Sequence, residues 1–353
     1  MLSRLMTLLS AGLLVGLGAC RGSSSAPHAA GLSPSPVSGD AAGSARDAAQ
    51  PRPCRLMVGD PAPPLEVETW INGPELRAFE PGTVYVLELW ATWCLPCREV
   101  MPQLAELQAR YADRRVQLIG VNVRDDPTRV EPFLTRAHDG ATGRELMPYP
   151  IAIEAKGPDS EGRGASRPGK VSARWLERGC QWGLPSSFIV DRSGRVAWVG
   201  HPSVIELPLE MIARGTWDIR ERAAIHAAEI GARPQLAEFK RLMLNWEYDQ
   251  AYRLGRELAE GAFSHNPLEL NAMAWRIVDP DLRPRQQDLD LALAAARRAA
   301  ELTLRRDAAV LHTLATVHAQ RGELDQAVAV LEEASALASS SAREVIEQEL
   351  GRR

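Results

Sequence analysis

The sequence predicts an α/β domain followed by an all-helical domain, and two observations carry that reading. Between about residues 83 and 213, short apolar runs alternate with stretches of helical spacing, the pattern of a sheet layered with helices. Beyond about residue 217 the periodicity becomes wholly helical and rich in Ala, Leu, Arg and Glu. The 353 residues, 45% apolar and 24% charged, are enough for two cores and exclude wholesale disorder. A formal net charge of −4 argues against nucleic acid as a partner.

Residues 83–91, Thr-Val-Tyr-Val-Leu-Glu-Leu-Trp-Ala, form a nearly continuous apolar run, as expected of a strand buried on both faces. Glu88 is its one charge. The segment Thr92-Trp93-Cys94-Leu95-Pro96-Cys97 follows, and Val100, Leu104, Leu107 and Tyr111 then recur at helical spacing. The two cysteines therefore open a helix that leaves the strand, and Pro102 should kink it. A strand at 116–123, a helix at about 127–138 and a strand at 150–154 continue the alternation. Strands at 187–191 and 196–199 flank the turn Arg192-Ser193-Gly194, and a helix at about 205–213 closes the domain. The Gly-, Pro-, Ser- and charge-rich stretch 156–170 reads as a surface loop.

The amino terminus has the composition of an export signal: Arg4, then an apolar run over 5–17 that is shorter than the roughly 20 residues a spanning helix needs. Its end, Leu17-Gly18-Ala19-Cys20, resembles the lipobox of bacterial lipoproteins, which implies cleavage before Cys20 and a lipid anchor on its sulfur. Arg21 in place of Asp favours, by the same resemblance, the outer membrane. Setting Cys20 aside, the five cysteines leave Cys54, Cys94, Cys97 and Cys180, an even number suited to an oxidising compartment. The expected organisation is a signal peptide at 1–19, a flexible Ser-, Ala-, Gly- and Pro-rich tether at 20–55, an α/β domain at 56–216 and a helical domain at 217–353.

A helix start favours an ionised sulfur through its partial positive charge and unpaired N–H groups, and the thiolate is the form that attacks disulfides. Cys94 is the nucleophile candidate. Cys97, one turn on and less exposed, is placed to resolve a mixed disulfide, while Pro96 stiffens the turn between them. Half of a zinc site is the competing reading of Cys-x-x-Cys, but no second pair or nearby His completes it. Cys180 could pair with Cys54, serve as an extra redox thiol, or be a buried inert cysteine.

Trp90-Ala91-Thr92-Trp93-Cys94-Leu95-Pro96-Cys97, Pro102 and the Gly183-Leu184-Pro185 that precedes a strand resemble the thioredoxin fold, specifically the membrane-anchored TlpA-like and ResA-like thiol-disulfide oxidoreductases. The resemblance covers about residues 58–214. It implies a cis Pro185 lying against the cysteines, and an extra amino-terminal hairpin opened by Gly59-Asp60-Pro61-Ala62-Pro63. Glu88 falls where thioredoxin carries a buried acid, and a carboxyl inside an apolar strand should have a raised pKa, so Glu88 is read as general base for Cys97. Trp93, Leu95, Pro96 and Leu184, beside the cysteines and Pro185, are the candidates for holding substrate. One departure from the family is Val100, with Glu99 beside it, where an acid two residues before the helix proline is common.

In the carboxy-terminal part, Leu289, Asp290, Ala292, Ala296 and Ala299 recur 35 residues later as Leu324, Asp325, Ala327, Leu331 and Ala334, with a weaker echo at Tyr248, Asp249, Ala251, Gly255 and Leu258. With Leu311, Leu314, Ala315 and His318 in a first helix and Gly322 at the turn, residues 235–337 resemble tetratricopeptide repeats, interrupted at 279–284. That implies a protein partner on the repeats. His312 and His318 are read as structural.

The combined expectation is a lipid-anchored, extracytoplasmic thiol-disulfide oxidoreductase acting on protein disulfides, recharged by a membrane or soluble electron donor and needing no metal or dissociable cofactor. A repeat-based scaffold with a secondary redox role and a thiol peroxidase are the alternatives. The peroxidase needs Thr-x-x-Cys, whereas Thr92 lies two residues before Cys94.

Overall fold

The computed structural model describes residues 54–138, 140–157, 169–282 and 284–337. The signal segment, Cys20, residues 21–53 of the tether and most of the 156–170 insertion lie outside the described residues.

The sheet is built around β2 (Val84–Trp90), whose seven residues are all buried. Alternation along it divides the domain into two cores. Val84, Val86 and Trp90 face one side with Leu104 and Leu107 of α1 (Leu95–Tyr111), while Tyr85, Leu87 and Leu89 face the other with Trp175 and Phe188. β3 (Val116–Asn122) runs parallel to β2 and to β6 (Ile151–Glu154) beyond it, with β1 (Val67–Asn72) antiparallel at that edge. On the other side β7 (Ser186–Val190) and β8 (Val196–Gly200) are antiparallel, giving the order β1-β6-β3-β2-β7-β8. Gly194, at φ +77°, makes the β7–β8 turn. The helix α4 (Glu206–Arg214) follows and ends on Gly215 in the left-handed conformation.

The single helix expected over 127–138 is shorter and broken. Asp126 caps a 3₁₀ turn at Pro127–Arg129, and α2 (Val130–Thr135) then stops where Arg136 turns extended, with the Thr135 hydroxyl donating to the Glu131 carbonyl in its last turn. Residues 137–138 (β4) pair instead with 141–142 (β5) around Gly140 at φ +96°, and the short α3 (Gly143–Leu146) opens on a Thr142–Glu145 capping box. A further irregular turn, a π-helical segment at Ser172–Glu177, carries the buried Trp175 and Leu176.

Among the described residues six helices follow: α5 (Ile219–Leu244), α6 (Tyr248–Glu260), α7 (Pro267–Val278), α8 (Leu289–Leu302), α9 (Ala308–Gln320) and α10 (Leu324–Leu337). They pack as successive pairs, α5 on α6, α7 on α8 and α9 on α10, with α6 on α8 and α7 on α9 joining one pair to the next. Small residues set the spacing: Ala251, Ala292, Ala296, Ala299 and Ala334 are fully buried, and a Cβ on Gly255 would come within 2.9 Å of the Phe239 ring. His312 packs against Trp275, and His318 Nδ1 lies 2.6 Å from Glu323 Oε2 across the α9–α10 turn.

The two parts touch directly. Trp217 Nε1 donates to the Ala197 carbonyl, α5 lies against β8, and Glu206 pairs with both Arg110 and Arg306. Cys54 and Arg55, placed in the tether by composition, are held to the folded body: Cys54 is disulfide-bonded to Cys180, and the amides of Arg55 and Leu56 both donate to the Arg178 carbonyl. Of the three readings open for Cys180, the first is the one realised. Among the described residues no helix is long and apolar enough to cross a membrane.

Candidate redox site

Strand β2 delivers its carboxyl end to the start of α1, and there Cys94 and Cys97 are joined in a disulfide, Cα atoms 5.3 Å apart. Cys94 is the N-cap of α1, its sulfur accepting from the Cys97 amide at 3.2 Å, with Leu95 and Pro96 filling the first two helical positions. The contact aims a helix N-terminus, with its orphan N–H groups, at the Cys94 sulfur. Both cysteines are buried in this oxidised form, so the expected difference in exposure between them is not seen. Around them the surface is apolar: Trp93 and Leu95 are more than half exposed, and Pro96 is half-buried.

The loop before Cys94 is fixed by an acid that sequence reasoning did not single out. Asp125 accepts from the Thr92 amide at 2.6 Å, from the Thr92 hydroxyl at 3.1 Å and from the Asn122 side chain at 3.1 Å. A neighbouring residue ties two tryptophans to the rim. Arg124, at φ +52°, accepts from Trp93 Nε1 through its carbonyl and donates through its guanidinium to the carbonyl of Trp182, which is 65% exposed. No motif marks Asp125, Arg124 or Trp182; only the loop geometry brings them to the disulfide.

The other residues singled out in the sequence lie in the segment before β7. Leu184–Pro185 is a cis peptide bond, Pro185 is buried and Leu184 half-buried, packing against both cores.

Glu88 is almost fully buried within β2, opposite Gly120 of β3 and Ser187 of β7. It shares its face of the strand with Val86 and Trp90, the face that packs against α1 and both cysteines. Burial pushes its pKa up to about 8, and the hydroxyl of Ser187, donating to Oε2, only partly offsets this. Its other oxygen, the Trp90 Nε1 and the Tyr149 hydroxyl are buried without a hydrogen-bond partner among the described residues. Gly120 makes room there, since a Cβ would meet Tyr149 at 3.2 Å and Trp90 Nε1 at 3.3 Å. Glu88 in turn helps to drive the Tyr149 phenol further above its ordinary range. Glu99, one residue before Val100, lies exposed. Among the described residues no cluster of His, Cys, Asp and Glu could hold a metal ion.

Residues 58–199 match the AhpC/TSA family. The thiol-disulfide oxidoreductase ResA of Geobacillus kaustophilus is 31% identical over 142 residues, which span 40% of this chain and 67% of that protein. The chain belongs to the thioredoxin-like thiol-disulfide oxidoreductases. Protein FixW of Rhizobium leguminosarum is 28% identical to this oxidoreductase over 162 residues, covering 46% of the chain and 68% of FixW. A thiol-disulfide isomerase from Corynebacterium glutamicum, of solved structure, is 22% identical and superposes over 44% of this chain and 97% of its own with a TM-score of 0.31. A dithiol at the start of α1 that closes into a disulfide is the reactive group such an enzyme requires.

Proposed function

We propose that this oxidoreductase is an extracytoplasmic reductase of protein disulfides, held to a membrane, with the outer membrane favoured, by a lipid on Cys20. The observation that carries the redox reading is the Cys94–Cys97 disulfide closed over a helix N-terminus on the face of β2 that also bears a buried, proton-holding Glu88. The lipid anchor rests on Leu17-Gly18-Ala19-Cys20, and the second disulfide, Cys54–Cys180, favours an oxidising compartment. The proposed organisation is a signal peptide at 1–19, a tether at 20–55, the redox domain at 56–216 and a repeat domain of tetratricopeptide type at 217–353 whose exposed surface takes a protein partner.

In the reduced enzyme the Cys94 thiolate attacks one sulfur of the substrate disulfide; that bond breaks, a substrate thiolate leaves, and a mixed disulfide forms. Where Glu88 is ionised it takes the Cys97 proton, and Cys97 attacks the Cys94 sulfur, expelling the second substrate thiolate and leaving Cys94 and Cys97 joined. A carboxyl with a pKa of about 8 is well matched to a thiol of ordinary pKa about 8.5, so the proton moves between them at little cost in free energy. A membrane or soluble donor then returns two electrons and two protons to the disulfide. Trp93, Leu95, Pro96, Leu184 and Pro185 line the approach and hold an extended substrate segment, the exposed apolar side chains of Trp93 and Leu95 suiting unfolded rather than finished chains.

The reduction potential of the Cys94/Cys97 couple against glutathione tests the direction. A value near about −270 mV is expected, whereas one near about −120 mV reverses the assignment to an oxidase. The AhpC/TSA match favours a second reading, peroxide reduction. Peroxide consumption by the reduced protein above a Cys94→Ser control would support it.

A further inference from the structure

The loop that leads into cis-Pro185 is held from outside the redox domain. Cys180, five residues upstream, adopts a left-handed φ of +54°, a conformation disfavoured for a residue with a Cβ unless its surroundings impose it. The end of the Ser172–Glu177 turn does so, the Gln181 amide closing back on the Leu176 carbonyl, and two further attachments hold the residue there. Its sulfur is bonded to Cys54, and its carbonyl accepts a hydrogen bond from Arg233 Nη1 at 3.0 Å. Arg233 belongs to α5, the first helix of the helical region.

The same face of α5 makes the matching contact on the other chain segment joined by the disulfide. His226, seven residues before Arg233 and so two turns away, accepts from the Val58 amide at 3.3 Å through Nδ1. Between them Glu229, together with Glu269 of α7, faces Arg233 and supports its charge against the half-burial that weakens it. The helix thus grips Val58, four residues after Cys54, and Cys180 itself. From Cys180 onward the loop is tied again: the Gln181 amide donates to the Leu176 carbonyl, the Trp182 carbonyl accepts from Arg124, and the Gly183 carbonyl accepts from the Ser186 hydroxyl.

We infer that Arg233 is a positioning residue for substrate capture: through the Cys180 carbonyl it fixes the 180–185 loop, and with it the backbone that a polypeptide substrate must meet beside the disulfide. The helical region is then part of the substrate-binding apparatus as well as a surface for partners. The inference rests on the reading that this loop holds the substrate segment. Its physical basis is preorganisation: a loop ordered before binding spares the complex that entropy, whereas a small disulfide that touches only Cys94 gains nothing from it.

The test uses the full chain with Arg233→Met, which keeps the bulk and removes the donor, and Arg233→Lys, which restores a donor. Insulin and hydroxyethyl disulfide serve as substrates, and the Cys94/Cys97 potential is measured alongside. Loss of one hydrogen bond to the loop should raise KM for insulin about fivefold in Arg233→Met, with kcat, the small-disulfide rate and the potential within about twofold of the parent. Arg233→Lys should recover most of the insulin KM. An unchanged insulin KM in Arg233→Met overturns the inference, and so does a parallel fall with both substrates, which marks a merely structural contact. A parent protein that reduces neither substrate refutes the underlying functional reading instead, and is distinguished by failing before any substitution is made.

Discussion

Glu88→Gln isolates the cost of burying an ionisable group under the redox site. The glutamine keeps the size of the side chain and an oxygen to accept from Ser187, but it cannot lose a proton. In the folded wild type the carboxyl titrates at about 8 against an ordinary value of 4.5, a preference for the neutral form of about 5 kcal/mol at ~1.4 kcal/mol per pH unit. Because the folded pKa is raised, the folded state binds the extra proton between those values. Its contribution to stability is therefore complete below pH 4.5, falls as pH rises, and is lost above about 8. Urea unfolding of both proteins at a series of pH values should show wild type losing stability relative to Glu88→Gln by about 2–3 kcal/mol between about pH 5 and pH 7, and levelling off above about pH 8. Glu229, with a pKa raised by burial to about 7, and the buried His201 and His226, lowered to about 4, titrate in both proteins and cancel. A difference that stays constant across that range would refute the reasoning, because it would mean that Glu88 does not hold a proton in the fold.

The same substitution should slow resolution of a mixed disulfide by about 10²-fold, the usual scale of a lost general base, while leaving the pH dependence of Cys94 alkylation unchanged. Cys97→Ser should accumulate a covalent adduct with a substrate cysteine, visible as a mass increase reversed by dithiothreitol, whereas Cys94→Ser should form none. Removing the second disulfide as Cys54→Ser with Cys180→Ser should lower stability by up to about 5 kcal/mol, the loop-entropy limit for cysteines 126 residues apart, measured by urea midpoint without reductant. Trp175→Ala, which empties a fully buried indole site between Phe79 and Phe188, should cost about 3–5 kcal/mol in the same assay.

The central strand and the helix behind the cysteines were legible because burial on both faces leaves an apolar run with no alternative partner, and Cys94 to Tyr111 keeps a helical period despite Pro102. Edge strand β1, Val-Glu-Thr-Trp-Ile-Asn, was not legible on its own pattern: with one side open to solvent it tolerates Glu68 and Thr69, and nothing in its composition separates it from a loop. The end of the 127–138 segment was misread because the chain there leaves the helix to pair 137–138 with 141–142, and the Gly140 that marks the turn lies beyond the segment. Pairing of Cys54 with Cys180 is a property of distance in space, which spacing in sequence does not encode. His226, Glu229 and Arg233 were hidden for a related reason: polar residues along a helix read as a solvated face until another body is found against it.

The two cross-links are nested, with Cys94 and Cys97 lying inside the stretch closed by Cys54 and Cys180. On the proposed export, amino end first, the inner pair can oxidise as soon as Cys97 emerges, but the outer bond must wait for Cys180. During that interval Cys54 would be an unpaired thiol on the same chain as a closed Cys94–Cys97 pair, so scrambling would be the hazard of maturation, and a disulfide shuffling catalyst would speed recovery of active enzyme. The closed ring also holds cleaved pieces together. A single protease cut anywhere between the outer cysteines leaves two fragments that migrate as one on a non-reducing gel and separate once reductant is added.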